Sequence, residues 1–432
     1  MSNKEKIVLI GAGSLQFGLG SAGSILASEV LKGSTICLHD IDPESLGLAH
    51  KACQAAIEEK KLDFTLESTT NRPDALKNAT YIINSIEVTP RFELWEMDYN
   101  IPKKFGNRQI FGENGGPGGF FHSLRVIPPI LEICSDILKI CPNALFLNYS
   151  NPMSRICLAI KRKFPSLKFV GLCHEIVSVQ IHFPRLLGTR LSNLYIKAGG
   201  LNHFGVVLEV KYRVTGKDAY PDIRNKAPDY LKKLTSLDVH LNKYILEKFG
   251  YFPYTTDSHF GEYIQWAWEV ADIEGVRGFY DLYKAITNSS GKRIRNLIKR
   301  GKGSRLVRPD RERAIPIIEG ILTDSNHEEL SVNLPNDDII TNLPKDLIVE
   351  CPAIINKEGL QAVKLGEYPK GLAGLLRNQA SVQDLVVEAV LTKSKDIALQ
   401  ALLVDPVVDS ATQAEKMLDE ILRLQSDYIH LE

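Results

Sequence analysis

The sequence has no excess of charge of either sign, no long apolar run and few cysteines. Its 432 residues carry 52 Lys and Arg against 52 Asp and Glu, so nothing predicts a nucleic-acid or anionic-membrane partner. The absence of any run of 18 apolar residues predicts that no segment spans a membrane. The seven cysteines are odd in number and show no paired spacing, which favours reduced thiols in a cytoplasmic protein. A globular chain of two or three domains is expected.

The first motif present is a short apolar run followed by a glycine-containing turn, IVLIGAGS at Ile7–Ser14. The run is typical of a buried parallel strand. A helix beginning near Leu15 would aim its free N–H groups at a phosphate, and a third glycine follows at Gly18. The turn residues expected to approach a pyrophosphate are Gly11, Ala12, Gly13 and Ser14. The segment predicts a dinucleotide-binding βαβ unit.

A second apolar run, at 35–38, is followed by His39 and Asp40. An acid at the end of the second strand typically accepts hydrogen bonds from the adenosine ribose. A carboxylate there also repels a 2′-phosphate, so Asp40 favours NAD over NADP. The alternative is that Asp40 is only a turn residue before Asp42 and Pro43.

Strand-like apolar runs alternate with helical stretches through the first half of the chain. They lie at 7–10, 35–38, 81–86, 144–148 and 168–172. This alternation predicts an α/β fold, a Rossmann-type doubly wound parallel sheet over residues 1–195, with a mixed α+β C-terminal domain over 196–432. Ligands of such sheets bind beyond the carboxyl ends of the strands, where Asn84, Asn148 and Cys173 fall.

Three segments carry weaker expectations. Gly106–Leu124 has six glycines in nineteen residues and contains Glu113, so we expect a shaped loop rather than a regular element. Ser289–Asp310 is rich in Lys, Arg, Gly and Ser, and we expect a solvated loop. Residues 371–428 are predicted to form two amphipathic helices.

Several side chains near the predicted strand ends have metal-binding or acid–base chemistry. Cys173 and His203 could ligate a divalent cation with open coordination positions; the alternative is a core cysteine and a hydrogen-bonded histidine. Asn151 before Pro152 is either a helix N-cap or a ligand contact. The segment 254–263 gathers an acid, an imidazole and a phenol.

These pieces occur together in one known family. The matching segments are IGAGS (10–14), IPKKFG (101–106), GPGGFF (116–121), NYSNPM (148–153), GLCHE (171–175), GLNHF (200–204), FGYFP (249–253), SHFGEY (258–263), NLPKDLIVECPA (342–353) and ALQALLVDP (398–406). The chain closely resembles the NAD-dependent family-4 glycoside hydrolases, and the resemblance spans nearly its whole length.

The resemblance implies an unusual route to glycoside cleavage, distinct from two-carboxylate hydrolysis. NAD⁺ takes a hydride from the sugar C3, and a divalent ion, typically Mn²⁺, polarises the resulting carbonyl. The C2 proton becomes acidic, a base removes it, and the C1 substituent leaves with help from an acid. Water then adds and the hydride returns, so NAD is not consumed.

The resemblance also implies roles for individual residues. Cys173 and His203 match the metal ligands, and His174 matches the proton donor. Asp257 matches the base, with Tyr254 as the local alternative. Glu113 stands where the family more often has Asp, at a position that tunes the base. The implied substrate contacts are Arg91 and Asn151, and the implied cofactor contacts are Gly11, Ala12, Gly13, Ser14, Asp40 and Asn84.

The substrate expected from this resemblance is a non-phosphorylated α-glycoside or oligosaccharide. An α-galactoside, an α-glucoside and an α-hexuronide are all open, and the hexuronide ranks level with the galactoside because Arg91 and Arg125 could meet a carboxylate. The alternatives are a hydroxy-acid dehydrogenase of the lactate or malate type and a catalytically inactive NAD-binding sensor. The resemblance implies a homodimer or homotetramer.

Overall fold

The computed structural model describes residues 4–14, 17–234 and 237–432, and within these residues twelve strands form one sheet. The strands are β1 (Lys6–Ile10), β2 (Thr35–His39), β3 (Thr65–Thr69), β4 (Tyr81–Asn84), β5 (Leu145–Asn148), β6 (Phe169–Gly171), β7 (Leu194–Leu201), β8 (Phe204–Tyr212), β9 (Phe252–Pro253), β10 (His327–Pro335), β11 (Ile348–Asn356) and β12 (Gly359–Ala362). The helices are α1 (Phe17–Ala27), α2 (Pro43–Lys60), α3 (Arg72–Leu76), α4 (Arg91–Lys104), α5 (Gly116–Ile140), α6 (Met153–Lys163), α7 (Val177–Leu187), α8 (Tyr220–Leu231), α9 (His240–Phe249), α10 (Asp257–Phe260), α11 (Ala267–Val270), α12 (Ile273–Lys299), α13 (Ala314–Thr323), α14 (Lys370–Thr392), α15 (Lys395–Val404) and α16 (Ala411–Leu424). No helix in this part of the chain has the length and apolar character needed to cross a bilayer.

The sheet has a parallel half and an antiparallel half. Its strand order is β3-β2-β1-β4-β5-β6-β10-β11-β7-β8-β9, with β12 paired to β11. Neighbours among the first six strands run parallel, whereas the pairs from β6–β10 onward run antiparallel. The predicted Rossmann-type half and mixed α+β half are therefore confirmed. One continuous sheet joins them, and the predicted boundary after residue 195 falls inside β7.

The strand register aligns polar residues along the carboxyl edge of the parallel half. Asn84 of β4 pairs with Ile10 of β1 and with Asn148 of β5, and Asn148 pairs with Gly171 of β6. Because parallel strands share one direction, the segments that follow them leave the sheet on the same side. The turn after β1 and the segment containing Cys173 therefore meet at this edge.

The antiparallel strands extend this edge into the second half of the chain. Asn333 of β10 pairs with Gly171, Glu350 of β11 pairs with Asn333, and Gly200 of β7 pairs with Glu350. The β7–β8 turn, which contains His203, is thereby carried toward the end of β6. Pairing across two inserted strands thus brings together segments that are distant along the chain.

The expectation that Gly106–Leu124 is a loop was wrong for its second half, because α5 begins at Gly116. The glycines there serve packing. A Cβ on Gly118 would lie 2.5 Å from the Gly112 carbonyl oxygen, and a Cβ on Gly119 would lie 2.2 Å from backbone of Asn114. The first turn of α5 can therefore pack directly on the preceding loop.

Two further expectations were wrong. The segment 289–310 is not a solvated loop: α12 continues to Lys299, and a 3-10 turn at Gly303–Leu306 packs on α2, where Glu59 accepts the N–H groups of Gly303 and Ser304 at 2.8 Å. The C-terminal region holds three helices rather than two. Ser394 and Ser410 divide them, since each side chain accepts an N–H at the start of the next helix.

Candidate active site

Cys173 and His203 meet at the carboxyl edge of the sheet. Cys173 follows β6, and its sulfur lies 3.3 Å from Nε2 of His203 in the turn between β7 and β8. His203 has a φ of +89°, a conformation that costs a non-glycine residue about 1–3 kcal/mol. The hydroxyl of Thr255 donates to the His203 carbonyl at 3.0 Å and helps to hold this turn.

Two further potential metal ligands, His259 and Glu262, lie near His203. The ring of His259 stacks on the His203 ring with centroids 4.3 Å apart. Ligand atoms of His203, His259 and Glu262 all lie within 4.8 Å of one another. Both His203 and His259 have a buried Nδ1 without a hydrogen-bond partner in the described residues. Imidazole and carboxylate donors at this spacing, with the Cys173 sulfur beside His203, fit a divalent ion such as Mn²⁺ or Zn²⁺. The sequence motifs pointed to Cys173 and His203 but not to His259 and Glu262 as ligands.

The electrostatic setting makes both predicted ligands uncharged before an ion binds. Burial raises the pKa of the Cys173 thiol well above its usual range, and the carboxylates of Glu350 and Glu175 raise it further. Burial likewise lowers the pKa of His203 far below its ordinary value, assisted by the nearby imidazoles of His259 and His174. A neutral imidazole is ready to ligate, whereas the thiol must lose its proton when it binds a metal.

The imidazole of His174 forms an ion pair with the carboxylate of Glu312. Its Nδ1 lies 2.9 Å from a carboxylate oxygen of Glu312, and its Nε2 lies 3.7 Å from Glu175. Burial lowers the pKa of His174, but the hydrogen bond and charge of Glu312, with the charge of Glu175, outweigh it and raise the pKa to about 9. His174 is therefore protonated at neutral pH. Glu312 had no signal in the sequence, because it lies just after the basic segment 289–310 and far from His174 in the chain.

The structure does not bring the Asp257 carboxylate into this cluster. Its oxygens accept backbone N–H groups from Leu241 at 3.0 Å, Asn242 at 3.2 Å and Asp272 at 3.0 Å, and the side chain is fully buried. The carboxylate thus caps the first turn of α9 and fixes the start of α12. Tyr254, the alternative base, is also engaged, since its hydroxyl donates to Glu350 at 2.9 Å.

Arg91 and Glu113 form an ion pair beside the cluster. Nη2 of Arg91 lies 2.8 Å from Glu113, and Nη1 donates to the Tyr283 hydroxyl at 2.5 Å. Glu87 is also within 3.5 Å of Arg91. The backbone N–H of Glu113 donates in turn to Glu262, one of the potential metal ligands. Glu113 therefore connects the predicted substrate contact to the metal-binding cluster.

Arg125 does not serve as a substrate contact. It is 4% exposed, and its guanidinium forms two hydrogen bonds to Asp98, at 2.9 and 2.6 Å. Gln425 accepts a third at 2.6 Å. A bidentate pair of this kind neutralises the cation, so the expectation that Arg125 could meet a carboxylate of the substrate was wrong. The residue instead ties α5 to α4 and to the C-terminal end of the chain.

A small polar pocket adjoins the cluster. It is lined by Asn114, Pro152, Met153, Ser154, Arg155, Asn202, Tyr263 and Gln383. Buried atoms without a partner in the described residues include Asn114 Oδ1, Ser154 Oγ and Arg155 Nη2, together with Oδ1 of the neighbouring Asn151. Unpaired donors and acceptors side by side suit a ligand whose hydroxyl groups both donate and accept. Asn151 does not cap α6; Pro152 occupies that position, without a side-chain hydrogen bond.

The predicted dinucleotide turn has the backbone that such a site requires. Gly11 has a φ of +82°, and a Cβ there would lie 3.0 Å from backbone of Ser85 and Ile86. The Gly13 N–H donates to the Asp40 carboxylate at 2.7 Å. A Cβ on Gly18 would lie 2.7 Å from the Ala12 carbonyl oxygen, so the late third glycine lets α1 pack tightly on the turn.

The remaining predicted cofactor residues, Ala12, Ser14 and Asn84, lie at the same edge of the sheet. The backbone N–H of Ala12 donates to the His39 carbonyl at 3.1 Å. The Ser14 hydroxyl accepts the N–H of Phe17 at 3.4 Å, at the start of α1. Leu15, where the helix was expected to begin, lies outside the described residues. Asn84 is fully buried and donates to Asn148 at 2.8 Å and Ser150 at 3.1 Å. These contacts fit a rigid dinucleotide cradle.

Comparison with known proteins matches both halves of the chain. The model described as family 4 glycosyl hydrolase matches residues 6–189, and the family 4 glycosyl hydrolase C-terminal domain matches residues 198–408. An α-glucosidase of Erwinia rhapontici is 44% identical, over 98% of this chain and 99% of the relative. An α-galactosidase of Bacillus subtilis (strain 168) is 30% identical, over 98% and 97%.

A solved structure shares the fold. A 6-phospho-α-glucosidase from gut microorganisms, in complex with NAD and Mn²⁺, superimposes with a TM-score of 0.87 at 23% identity and covers 100% of both chains. The expectation of a glycosidase is confirmed by the family models, and the dehydrogenase alternative is not supported, since those models also cover the C-terminal half. The chain belongs to the family 4 glycosyl hydrolases.

Proposed function

We propose that this chain hydrolyses a neutral, non-phosphorylated α-glycoside with the help of bound NAD and a divalent metal ion. The observation that carries the proposal is the contact between Cys173 and His203, beside the pair His174–Glu312, at the sheet edge that also carries the glycine turn. The relatives named α-glucosidase and α-galactosidase support an α-linked sugar. The structural neighbour with NAD and Mn²⁺ supports the choice of cofactors.

Cys173 and His203 would hold the metal ion, with His259 and Glu262 as adjacent donors. When bound, the dinucleotide would supply reversible hydride acceptance at the sugar C3, and the ion would supply Lewis acidity at the C3 oxygen. The buried, neutral His203 ring and the protonated thiol fit this use, because a bound cation would compensate for the burial of the thiolate. Asn151 and the unpaired atoms of the adjoining pocket would hold the sugar hydroxyls.

His174 would act as the acid that protonates the leaving group. Glu312 occupies Nδ1 and keeps the ring charged, so Nε2 is the nitrogen that can give up a proton to the glycosidic oxygen. Glu113 would position Arg91 against the substrate. The role of Asp257 as base stays a prediction from the family resemblance, since its carboxylate caps α9 in the structure.

The charges beside the cluster favour an uncharged sugar. Arg91 is engaged by Glu113 and Glu87, and Arg125 by Asp98. These are the two guanidinium groups that were expected to bind the carboxylate of a hexuronide. Both are already neutralised by carboxylates of the protein. We therefore place an α-glucoside or α-galactoside ahead of an α-hexuronide.

The experiment is a substrate panel with NAD⁺, Mn²⁺ and a thiol reductant. It compares nitrophenyl α-glucoside, α-galactoside, α-galacturonide and 6-phospho-α-glucoside, while absorbance at the NADH band is followed. We expect cleavage of a neutral α-glycoside without net NADH, and deuterium from D₂O at the product C2.

Three outcomes would contradict the proposal. Stoichiometric NADH accumulation without cleavage would indicate a dehydrogenase. NAD binding without turnover of any glycoside would indicate a sensor. Cleavage that persists after complete removal of the dinucleotide would exclude the oxidative route.

A further inference from the structure

The segment at 306–313, just before α13, packs closely on the helix that follows the dinucleotide turn. A Cβ on Gly23 of α1 would lie 2.2 Å from the Leu306 carbonyl oxygen. A Cβ on Gly20 would lie 2.6 Å from Oδ2 of Asp310. The two glycines are three positions apart and therefore share one face of α1. The segment reaches this face because neither glycine carries a side chain.

Hydrogen bonds connect this face of α1 to Glu312 through Asp310. The Asp310 N–H donates to the hydroxyl of Ser24 on α1 at 2.9 Å. The Asp310 carboxylate in turn accepts the N–H of Glu312, also at 2.9 Å. The Glu312 carboxylate then pairs with Nδ1 of His174 at 2.9 Å. A continuous chain of contacts thus joins α1 to the His174 ring.

A second anchor holds the other side of Glu312. Two residues further along the chain, the N–H of Ala314 donates to the hydroxyl of Tyr149 at 2.8 Å, and Tyr149 directly follows β5. The Glu312 side chain is 13% exposed, and its second carboxylate oxygen has no hydrogen-bond partner in the described residues. The direction of this carboxylate is therefore set by the backbone that carries it and by the contact with His174.

We propose that Asp310 is a positioning residue for the acid, supported on α1 by Ser24 and by the space at Gly20. This inference rests on the proposed function, in which His174 protonates the leaving group. A proton donor must lie within hydrogen-bond reach of the leaving oxygen, and a misplacement of about 1 Å can cost roughly 100-fold in rate. Because α1 also begins at the dinucleotide turn, one helix sets the positions of the cofactor site and the acid relative to each other.

Loss of this support should separate two steps of the proposed reaction. Hydride transfer from C3 and removal of the C2 proton need no proton from His174, whereas departure of the C1 substituent does. When departure is slow, a deuteron from D₂O returns to C2, the hydride returns to C3, and intact substrate is released. The substrate recovered from D₂O should then carry more C2 deuterium for each molecule cleaved. A residue that only stabilises the fold would lower exchange and cleavage together.

The first variants are Asp310→Ala and Asp310→Asn. Alanine removes the acceptor of the Glu312 N–H, whereas asparagine keeps an oxygen that accepts it. The NAD- and Mn²⁺-loaded proteins are compared on the methyl and nitrophenyl α-glycosides of the sugar that wild type cleaves. Asp310→Ala should lower kcat/KM for the methyl glycoside by about 10- to 100-fold and raise the ratio of exchange to cleavage. The loss on the nitrophenyl glycoside should be smaller, because nitrophenolate leaves with less help from an acid. Asp310→Asn should restore most of the rate.

Two serines near the C-terminal end of α1 provide a matched pair of variants. Ser24 and Ser28 are each 6% exposed. Ser24 accepts the N–H of Asp310, whereas Ser28 donates to Glu319 on α13 and does not contact the positioning chain. Ser24→Ala should therefore change both readouts in the same direction as Asp310→Ala, and Ser28→Ala should leave the ratio of exchange to cleavage unchanged.

Gly20→Ala tests the space on α1. Its Cβ would lie 2.6 Å from Oδ2 of Asp310, so the carboxylate must shift. The control is Gly374→Ala on α14, where a Cβ would meet no atom within 4 Å. Alanine favours a helix over glycine at both positions, so a weaker helix would not explain a loss of rate. Gly20→Ala should raise the ratio of exchange to cleavage, and the control should not.

Crystal structures of the variants give a readout that needs no substrate. The contact between Glu312 and His174 should be broken in Asp310→Ala and kept in Ser28→Ala. An unbroken contact in Asp310→Ala overturns the inference, and so does an equal loss of exchange and cleavage. A broken contact with wild-type kinetics on both glycosides would instead overturn the acid role of His174 in the proposed function, on which the inference rests.

Discussion

The sulfur of Cys173 lies 3.3 Å from Nε2 of His203, although 30 positions separate the two residues in the chain. The two come from different halves of one sheet, since β10 and β11 lie between β6 and β7. The contact therefore depends on non-local strand pairing. It follows that neither half of the chain can form the metal-binding cluster alone.

The first prediction concerns this contact. Cys173→Ser and His203→Ala should each lower Mn²⁺ affinity by more than roughly 100-fold and abolish hydrolysis. Loss of a group that only supports a ligand costs up to roughly 100-fold, and loss of the ligand itself should cost more. Tm without metal should change little, because neither side chain belongs to the apolar core. Calorimetric titration with Mn²⁺ measures the loss. The control is Cys53→Ala, in a fully buried core position of α2, which should keep full Mn²⁺ affinity. If Cys173→Ser or His203→Ala lowered Tm enough to explain the lost activity, the role of that residue would be structural instead.

The second prediction concerns pH and metal affinity. Burial holds the pKa of the Cys173 thiol well above its usual range, so the thiol must release a proton when the ion binds. Mn²⁺ affinity should therefore rise with pH, by about tenfold per pH unit if one proton is released for each ion bound. Titrations between pH 6 and pH 8 in two buffers of different ionisation enthalpy count the protons. A flat affinity over this range would mean that the thiolate is not a ligand.

The third prediction concerns Glu312. Its hydrogen bond and charge outweigh the effect of burial and raise the pKa of His174 to about 9 from a usual 6.5. Glu312→Gln removes the charge, so His174 should lose its proton at lower pH, and the basic limb of kcat/KM should move to lower pH. The linked stability, present below pH 6.5 and lost as the pH rises through about 9, should disappear as well. Glu319→Gln, on the neighbouring helix α13, is the control; an unshifted basic limb would exclude His174 as the acid.

The fourth prediction concerns Asp257. Both carboxylate oxygens accept buried backbone N–H groups at the starts of α9 and α12. Asp257→Asn replaces one oxygen by an NH₂ group, which cannot accept, so it should lower the free energy of unfolding by about 1–3 kcal/mol. Asp272→Asn, which keeps an oxygen acceptor for the Gly275 N–H at the cap of α12, serves as the comparison and should change the stability little. The readouts are urea unfolding and exchange of the substrate C2 proton with D₂O. Complete loss of exchange in a stable Asp257→Asn protein would restore the base role implied by the family resemblance.

The fifth prediction separates two neighbouring acids. Asp40→Asn should weaken NAD binding by about tenfold, because a carboxylate accepts ribose hydroxyls better than an amide does. Asp42→Ala should leave NAD affinity unchanged and lower the stability by about 0.5–2 kcal/mol, since Asp42 caps α2 through the N–H groups of Glu44 and Ser45. Fluorescence titration with NAD and thermal unfolding distinguish the two. If both variants lost the same NAD affinity, Asp40 would be only a turn residue and would not bind the ribose.

Features coded by neighbouring residues were predictable from the sequence. The apolar runs marked five of the six parallel strands, and the glycine turn after β1 marked the dinucleotide edge. β3 was missed because its residues, Thr-Leu-Glu-Ser-Thr, are largely exposed at the edge of the sheet and form no apolar run. The first turns of α5 were missed because a glycine-rich segment was read as a loop. Gly118 and Gly119 are instead required because the helix packs directly against the backbone of residues 112–114, a contact that composition does not reveal.

Side-chain direction was decided only by the tertiary structure. The sequence by itself determined which residue types follow each strand, and therefore that a thiol, imidazoles and carboxylates gather at one edge. It could not determine that Arg125 is neutralised by Asp98, that Asp257 caps α9, or that Glu312 holds His174. Those pairings join residues far apart in the chain, and their free energy depends on burial and on distances that exist only once the sheet and its helices have packed.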